Sequence, residues 1–365
     1  MAAEKLTPVE LESIRLLDCK ARSISNDQIF DVEENVRTKF GPVHVVMHGD
    51  RRNPAILTYH DIGLNSTSCF QGFFNYVEMQ VIMKNFCVYH VNAIGQEENA
   101  PTLPQGLGLT DSAPLATEYI YPSMDELAST LVTVLDHYNL KTIIGFGVGA
   151  GANILSRFAL SRPERVEALV LLNGNASQAG WIEWAYQKWN AWYLKSGMMT
   201  AGVEEYMIWH WFGSKTGDTS QDLVNVYMEY VKSINPTNLG HFISSYIRRT
   251  DLGITRELDH TKKNHVKNFS CPVMLVAGDH SPHLDDTITM NGRLDPSNST
   301  WMKFNCGGMI LEEAPGKLCE ALRLFLQGLG YVPALRRKSE VDPAPQIPKL
   351  SSLTSHPQPT NFEVC

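Results

Sequence analysis

The stretch Lys141 to Asn153, KTIIGFGVGAGAN, constrains the fold of this chain more than any other. Ile143, Ile144 and Phe146 are apolar, and Gly145, Gly147, Gly149 and Gly151 recur at every second position. The pattern predicts a buried strand that breaks into a backbone too tight for side chains. Asn153 to Leu160 (NILSRFAL) then reads as a helix and Val166 to Leu172 (VEALVLL) as another buried strand. Many enzymes place a nucleophile at such a strand-to-helix turn, in the pattern Gly-x-Ser-x-Gly. With Gly147 read as the middle residue, the turn is built for chemistry that its centre cannot perform.

Around this unit the 365 residues suffice for one large α/β domain with an inserted lid, or for two ordinary domains. A hydrophobic fraction of 43% with 19% charged residues is that of a water-soluble globular chain, and no apolar run is long enough to span a bilayer. The first residues, MAAEKLTPVELESIRLLD, mix acids among apolar positions, unlike a secretory signal, so a cytoplasmic location is expected. Seven scattered cysteines without a C-x-x-C pair predict reduced, buried thiols rather than disulfides or a zinc knuckle. A formal charge of −8 argues against direct binding of nucleic acid.

Thr7-Pro8-Val9-Glu10 has the form of a capping box and predicts a short helix to about Cys19 within an N-terminal arm, residues 1–30. From Val32 the pattern is extended. Glu33 to Lys39, Gly41-Pro42 and VHVVMHG predict a hairpin, and AILTY (55–59) a buried strand ending in His60-Asp61. FCVYHV (86–91) is the next strand, and the proline-rich stretch 101–122 reads as a surface flap. Ser123-Met124-Asp125-Glu126 is a second capping box, opening a helix with Leu127, Leu131, Val134, Leu135 and Tyr138 on one face. Six of the seven tryptophans lie between Trp181 and Trp211, in a helical block that either packs between layers or lines an apolar groove. PVMLVA (272–277) and TWMKF (300–304) are the last strands, followed by an amphipathic helix around Leu318 to Leu326. The folded domain is expected over residues 31–332, and residues 333–365 are expected to be a disordered tail.

Alternating strands and helices imply a mainly parallel sheet with helices on both faces. The order of parts resembles the α/β-hydrolase fold, with an inserted helical cap at about residues 176–260. The wording itself is similar to that of the N-myc downstream-regulated (NDRG) family over nearly the whole chain. The carriers are ILTYHDIGLNSTSCFQGFFNYVEMQ (56–80), HVNAIGQ (90–96), IGFGVGAGANIL (144–155), CPVMLVAGDHSP (271–282) and PGKLCEALRLFLQGLGYVP (315–333). The resemblance implies a hydrolase-like protein without hydrolase activity. It further implies an adaptor bound to protein partners in signalling, differentiation, growth control, stress response or vesicle traffic.

A serine-type hydrolase needs a hydroxyl, an imidazole and an orienting carboxylate. The corresponding positions read here as Gly147, Gly308 and Ser281, so no catalytic group is expected. His60, Asp61, Asp279 and His280 stand at strand ends on one rim; they either hydrogen-bond the rim loops or support an unorthodox hydrolase or lyase. A third alternative is a small-molecule carrier that keeps an emptied pocket. His283, Asp285 and Asp286 beside His280 fit no common metal site and read as loop residues. No cofactor is expected: Gly145-x-Gly147-x-x-Ala150 imitates a dinucleotide fingerprint, but the next strand ends in Asn173 rather than an acid. Arg336-Arg337-Lys338-Ser339 suits a basophilic kinase, which makes Ser339 the candidate phosphorylation site. Expected partners are proteins meeting the cap and rim, with peripheral rather than transmembrane contact to lipid.

Overall fold

The computed structural model describes residues 32–103, 120–180, 191, 193–213, 221–259, 261–262 and 265–331. The expected N-terminal helix, most of the flap, Trp181, Trp184, Trp189, Trp192 and Ser339 lie outside these residues.

Two strands open the fold as the predicted hairpin, β1 (Val32–Thr38) and β2 (Gly41–Gly49), antiparallel from Val32 opposite Met47 to Thr38 opposite Gly41. They are followed by β3 (Ala55–Tyr59), α1 (Ser66–Phe74), α2 (Val77–Met83) and β4 (Cys87–Val91). The chain continues through α3 (Met124–His137), β5 (Ile143–Val148), α4 (Ala150–Ser161) and β6 (Val166–Leu172). Three helices then interrupt the alternation: α5 (Ala201–Phe212), α6 (Gln221–Ser233) and α7 (Pro236–Tyr246). The last part is β7 (Val273–Gly278), α8 (Leu284–Arg293), β8 (Ser299–Phe304), α9 (Ile310–Glu313) and α10 (Pro315–Gly328).

The strands form one sheet in the order β1-β2-β4-β3-β5-β6-β7-β8, parallel from β4 onward. Every residue of β3, β5 and β7 is buried, as a parallel sheet covered on both faces requires. Phe146 of β5 meets Phe70, Phe73 and Phe74 of α1, each contributing roughly 1.5–3 kcal/mol by leaving water. The second capping box forms as predicted: the Ser123 hydroxyl accepts from the Glu126 N–H, and the Glu126 carboxylate accepts from the Ser123 N–H.

Helices α1 and α2 fill the stretch between the His60-Asp61 loop and β4, to which the sequence pattern assigned no element. The start of α1 is set by Asn65, whose side chain accepts from Ser68 N–H at 2.8 Å. Asp285 and Asp286 are not loop residues: they lie in the first turn of α8, after His283 at its N-cap, where the two acids complement the positive end of the helix dipole. Among the described residues no cluster of His, Cys, Asp and Glu could hold a metal, and no helix is long and apolar enough to cross a membrane.

Candidate functional site

In an open α/β sheet the functional site lies beyond the C-terminal ends of the parallel strands. Here the ends of β3, β5, β6 and β7 carry His60-Asp61, Gly149, Asn173 and Asp279-His280-Ser281.

The sharp turn after β5 is centred on Gly149, not Gly147. Gly149 has φ 51° and ψ −111°, a backbone that side chains rarely tolerate, and the next residue starts α4. Gly147 is an interior residue of β5, and a Cβ there would lie 2.7 Å from the Ala152 backbone. A Cβ on Gly151 would lie 2.0 Å from the Tyr59 carbonyl oxygen. Gly147 and Gly151 therefore let α4 cross close to the sheet, and Gly149 occupies the position of a nucleophile at such a turn.

The space beside Gly149 belongs to Asp61. A Cβ on Gly149 would lie 2.1 Å from Asp61 Oδ1. That oxygen accepts from the Ile62 N–H at 2.8 Å and from the Ala150 N–H at 2.8 Å, the first peptide of α4. The N–H after the turn residue and an N–H from the loop after β3 are the donors that hydrolases of this architecture aim at a developing oxyanion. Both point at a fixed carboxylate here. The other oxygen, Oδ2, accepts from His210 Nε2 of α5 at 2.9 Å. Burial pushes the Asp61 carboxyl up, but the His210 imidazole, the more distant His283 and the Ala150 N–H outweigh it and hold the carboxyl below its ordinary value.

His60 is fully buried and is not a free base. Its Nε2 accepts from the Ala93 N–H at 2.9 Å, so Nδ1 carries the proton and donates to the Asp61 carbonyl at 2.8 Å. Burial pushes the imidazole down to about 4, only partly offset by the Asp61 carbonyl and charge. Its role is to pin the β3 and β4 loops together.

Asp279 and His280 form a separate group. Asp279 Oδ1 accepts from the Cys306 N–H at 3.1 Å and faces His280 Nδ1 at 3.5 Å. Neither makes a described hydrogen bond to His60 or Asp61, so the four rim residues divide into two sets. Ser281 and Gly308 are brought together by Asn173, which sequence reading noted only as a strand end. The Asn173 amide donates to the Gly308 carbonyl at 2.8 Å and accepts from the Ser281 hydroxyl at 3.1 Å. A Cβ on Gly308 would lie 2.3 Å from the Trp211 carbonyl oxygen, so the end of α5 fills the place a side chain would take. Asn173→Ala is expected to cost about 2–3 kcal/mol, because two buried partners lose their bonds and a residue at φ 52° loses the type that tolerates it. The urea midpoint should fall with the slope unchanged; an unaltered midpoint would show that the bridge contributes nothing.

The residue that completes the site, His210, gave no sequence signal beyond its place among the cap aromatics. Around it the helices between β6 and β7 seal the rim. Trp211 Nε1 donates to the Ile62 carbonyl at 3.0 Å, and His283 Nε2 donates to the His210 carbonyl at 3.0 Å. The Ser68 hydroxyl donates to Tyr230 at 3.0 Å. Met207 and Trp211 stand so close over Gly63 that a Cβ there would meet both within 3 Å.

The sheet, the turn and the overlying helices define a protein of the α/β-hydrolase fold. Two solved structures share it: a hydrolase from Pseudomonas aeruginosa PA01, at TM-score 0.62 and 15% identity, over 83% of this chain and 99% of that one; and a thermophilic esterase from Thermogutta terrifontis, at 0.60 and 16%, over 82% and 99%. At such identities the likeness concerns the fold alone. The Ndr family model matches residues 33–333, and the chain belongs to that family. Protein NDRG3 of Xenopus tropicalis is 43% identical, over 90% of this chain and 81% of that protein. Protein NDRG1-A of Xenopus laevis is 41% identical, over 83% and 72%.

Proposed function

We propose that this chain acts by binding proteins and does not catalyse hydrolysis. The observation that carries the reading is the Asp61 carboxylate, which fills the nucleophile's space beside Gly149 and takes the N–H donor after the turn and that of the loop after β3. A negative charge fixed there opposes the oxyanion of acyl transfer, and the positions of the acid and the base hold Ser281 and Gly308. His60, sealed and neutral, supports neither an unorthodox base nor a lyase. Met207 and Trp211 over Gly63 leave the carrier alternative without space at that point.

On this reading the chain is a cytoplasmic adaptor of the kind its family resemblance implies, active in signalling, differentiation, growth control, stress response or vesicle traffic. Its cap presents the contact surface. Trp209, Val226 and Met228 are exposed there at 45%, 59% and 40%, and a large exposed aromatic is the usual anchor of an interface. Phosphorylation of Ser339 would add negative charge to the tail and tune such contacts.

The test is a panel of acyl-ester, amide and epoxide substrates on the purified protein, with a His60→Ala/His280→Ala double variant alongside. No turnover above buffer is expected from either. Turnover by the native chain that the double variant lacks would overturn the reading. A partner bound by the native chain and lost with Trp209→Asp, the fold intact, would support binding through the cap.

A further inference from the structure

We propose that the Asp61 carboxylate is the resident ligand of a retained oxyanion-binding site, and that through His210 this internal anion latches the cap to the sheet. Three donors from three separate parts of the chain converge on one carboxylate: the Ile62 N–H after β3, the Ala150 N–H opening α4, and His210 Nε2 on α5. The side chains of both partners are about 95% buried or more, with exposures of 5% for Asp61 and 3% for His210. The turn itself is free of any side chain that would compete, since Gly149 leaves the carboxylate its place. Asp61 thus supplies what a substrate's oxyanion supplies transiently, a charge matched to pre-aligned donors.

The groups facing His210 from every packed element fit a latch. Asp61 Oδ2 lies at Nε2, the Tyr206 hydroxyl at Nδ1 (3.2 Å), and the His283 ring packs edge-on with centroids 4.6 Å apart. Two nearby links between the layers, Trp211 to Ile62 and Tyr227 to the Ser68 carbonyl, are neutral hydrogen bonds. The Asp61 to His210 contact joins a carboxylate to the cap and is the stronger kind of bond. Withdrawing the anion leaves two N–H groups and an imidazole buried around an empty space. A small free carboxylate should then enter it and restore the link.

Hydrogen exchange of α5 in the full-length chain tests this. In Asp61→Gly, α5 amides are expected to exchange about ten- to a hundredfold faster than in the native chain, the effect of losing a charged hydrogen bond on local opening. Sodium formate or acetate at tens of millimolar should slow them again, and chloride at equal ionic strength should not. Unchanged exchange in Asp61→Gly, or equal effects of formate and chloride, would overturn the proposal. If Asp61→Gly does not fold, His210→Phe decides, because it keeps the anion and its two backbone donors but removes the link. Faster exchange in α5 with native protection in α4 supports the latch, and native exchange in α5 overturns it. The experiment reads cap opening and not turnover, so it can fail independently of the non-catalytic reading, with which it shares the Asp61 geometry.

Discussion

Gly149→Ser is expected to destabilise this protein severely and to create no hydrolase. A side chain at that position begins with a Cβ 2.1 Å from Asp61 Oδ1 and 2.2 Å from its Cγ, so the carboxylate must leave. Its departure breaks the bonds to the Ile62 and Ala150 N–H groups and strands His210, and breaking a buried pair typically costs about 3–5 kcal/mol. The backbone at φ 51° and ψ −111° adds about 1–3 kcal/mol of strain for any residue with a Cβ. The sum rivals the whole stability of an ordinary domain, about 5–15 kcal/mol. The expected readout is a thermal midpoint lower by roughly 10 °C or more, or failure to accumulate as folded protein. Adding Asp61→Gly removes the obstacle, so the double variant should be more stable than Gly149→Ser alone, a coupling that independent sites would not show. A Gly149→Ser protein as stable as the native chain would refute the geometry. Neither variant should hydrolyse esters, because Gly308 supplies no base.

That experiment also marks where the sequence was legible. The apolar runs of β3, β5, β6 and β7 could be read because a strand buried on both faces has no polar period to confuse. The capping box at Ser123 could be read because both partners lie within four residues of each other. The register of the glycine turn could not: with glycine at 145, 147, 149 and 151, no side chain marks the centre, and only the backbone angles distinguish Gly149 from Gly147. Helix α1 did carry a signal, in Asn65 at the cap and in the Phe70, Phe73 and Phe74 spacing. It was masked by the polar run beginning at His60. His210 and Asn173 acquire their roles only from partners far away in the chain, to which sequence periodicity is blind.

His60 supplies the second large effect, and it is one of pH. Its imidazole titrates at the ordinary 6.5 in the unfolded chain and at about 4 in the folded one, because burial disfavours the cation. Protonating Nε2 would also take away the acceptor of the Ala93 N–H. Between these two values the unfolded chain binds a proton that the folded chain refuses, so stability rises with pH there. The contribution is fully present above 6.5 and is lost progressively as pH falls toward 4, to a total of about 3 kcal/mol. Asp61, held below its ordinary value, acts only lower, its stabilisation vanishing as pH falls below about 3.8. Glu312 has the opposite sign. Burial, opposed by the Tyr227 hydroxyl, raises its carboxyl, so its contribution is present below its unfolded value and lost as pH rises through the raised one. The fall between pH 6.5 and 4 is therefore assigned to His60 by its substitution. His60→Asn keeps a donor and an acceptor but does not titrate, so it should be less stable than the native chain at pH 7 and markedly flatter between pH 7 and 4. Urea midpoints across that range measure both. If the two proteins lose stability with equal steepness, the buried imidazole is not the proton-linked group.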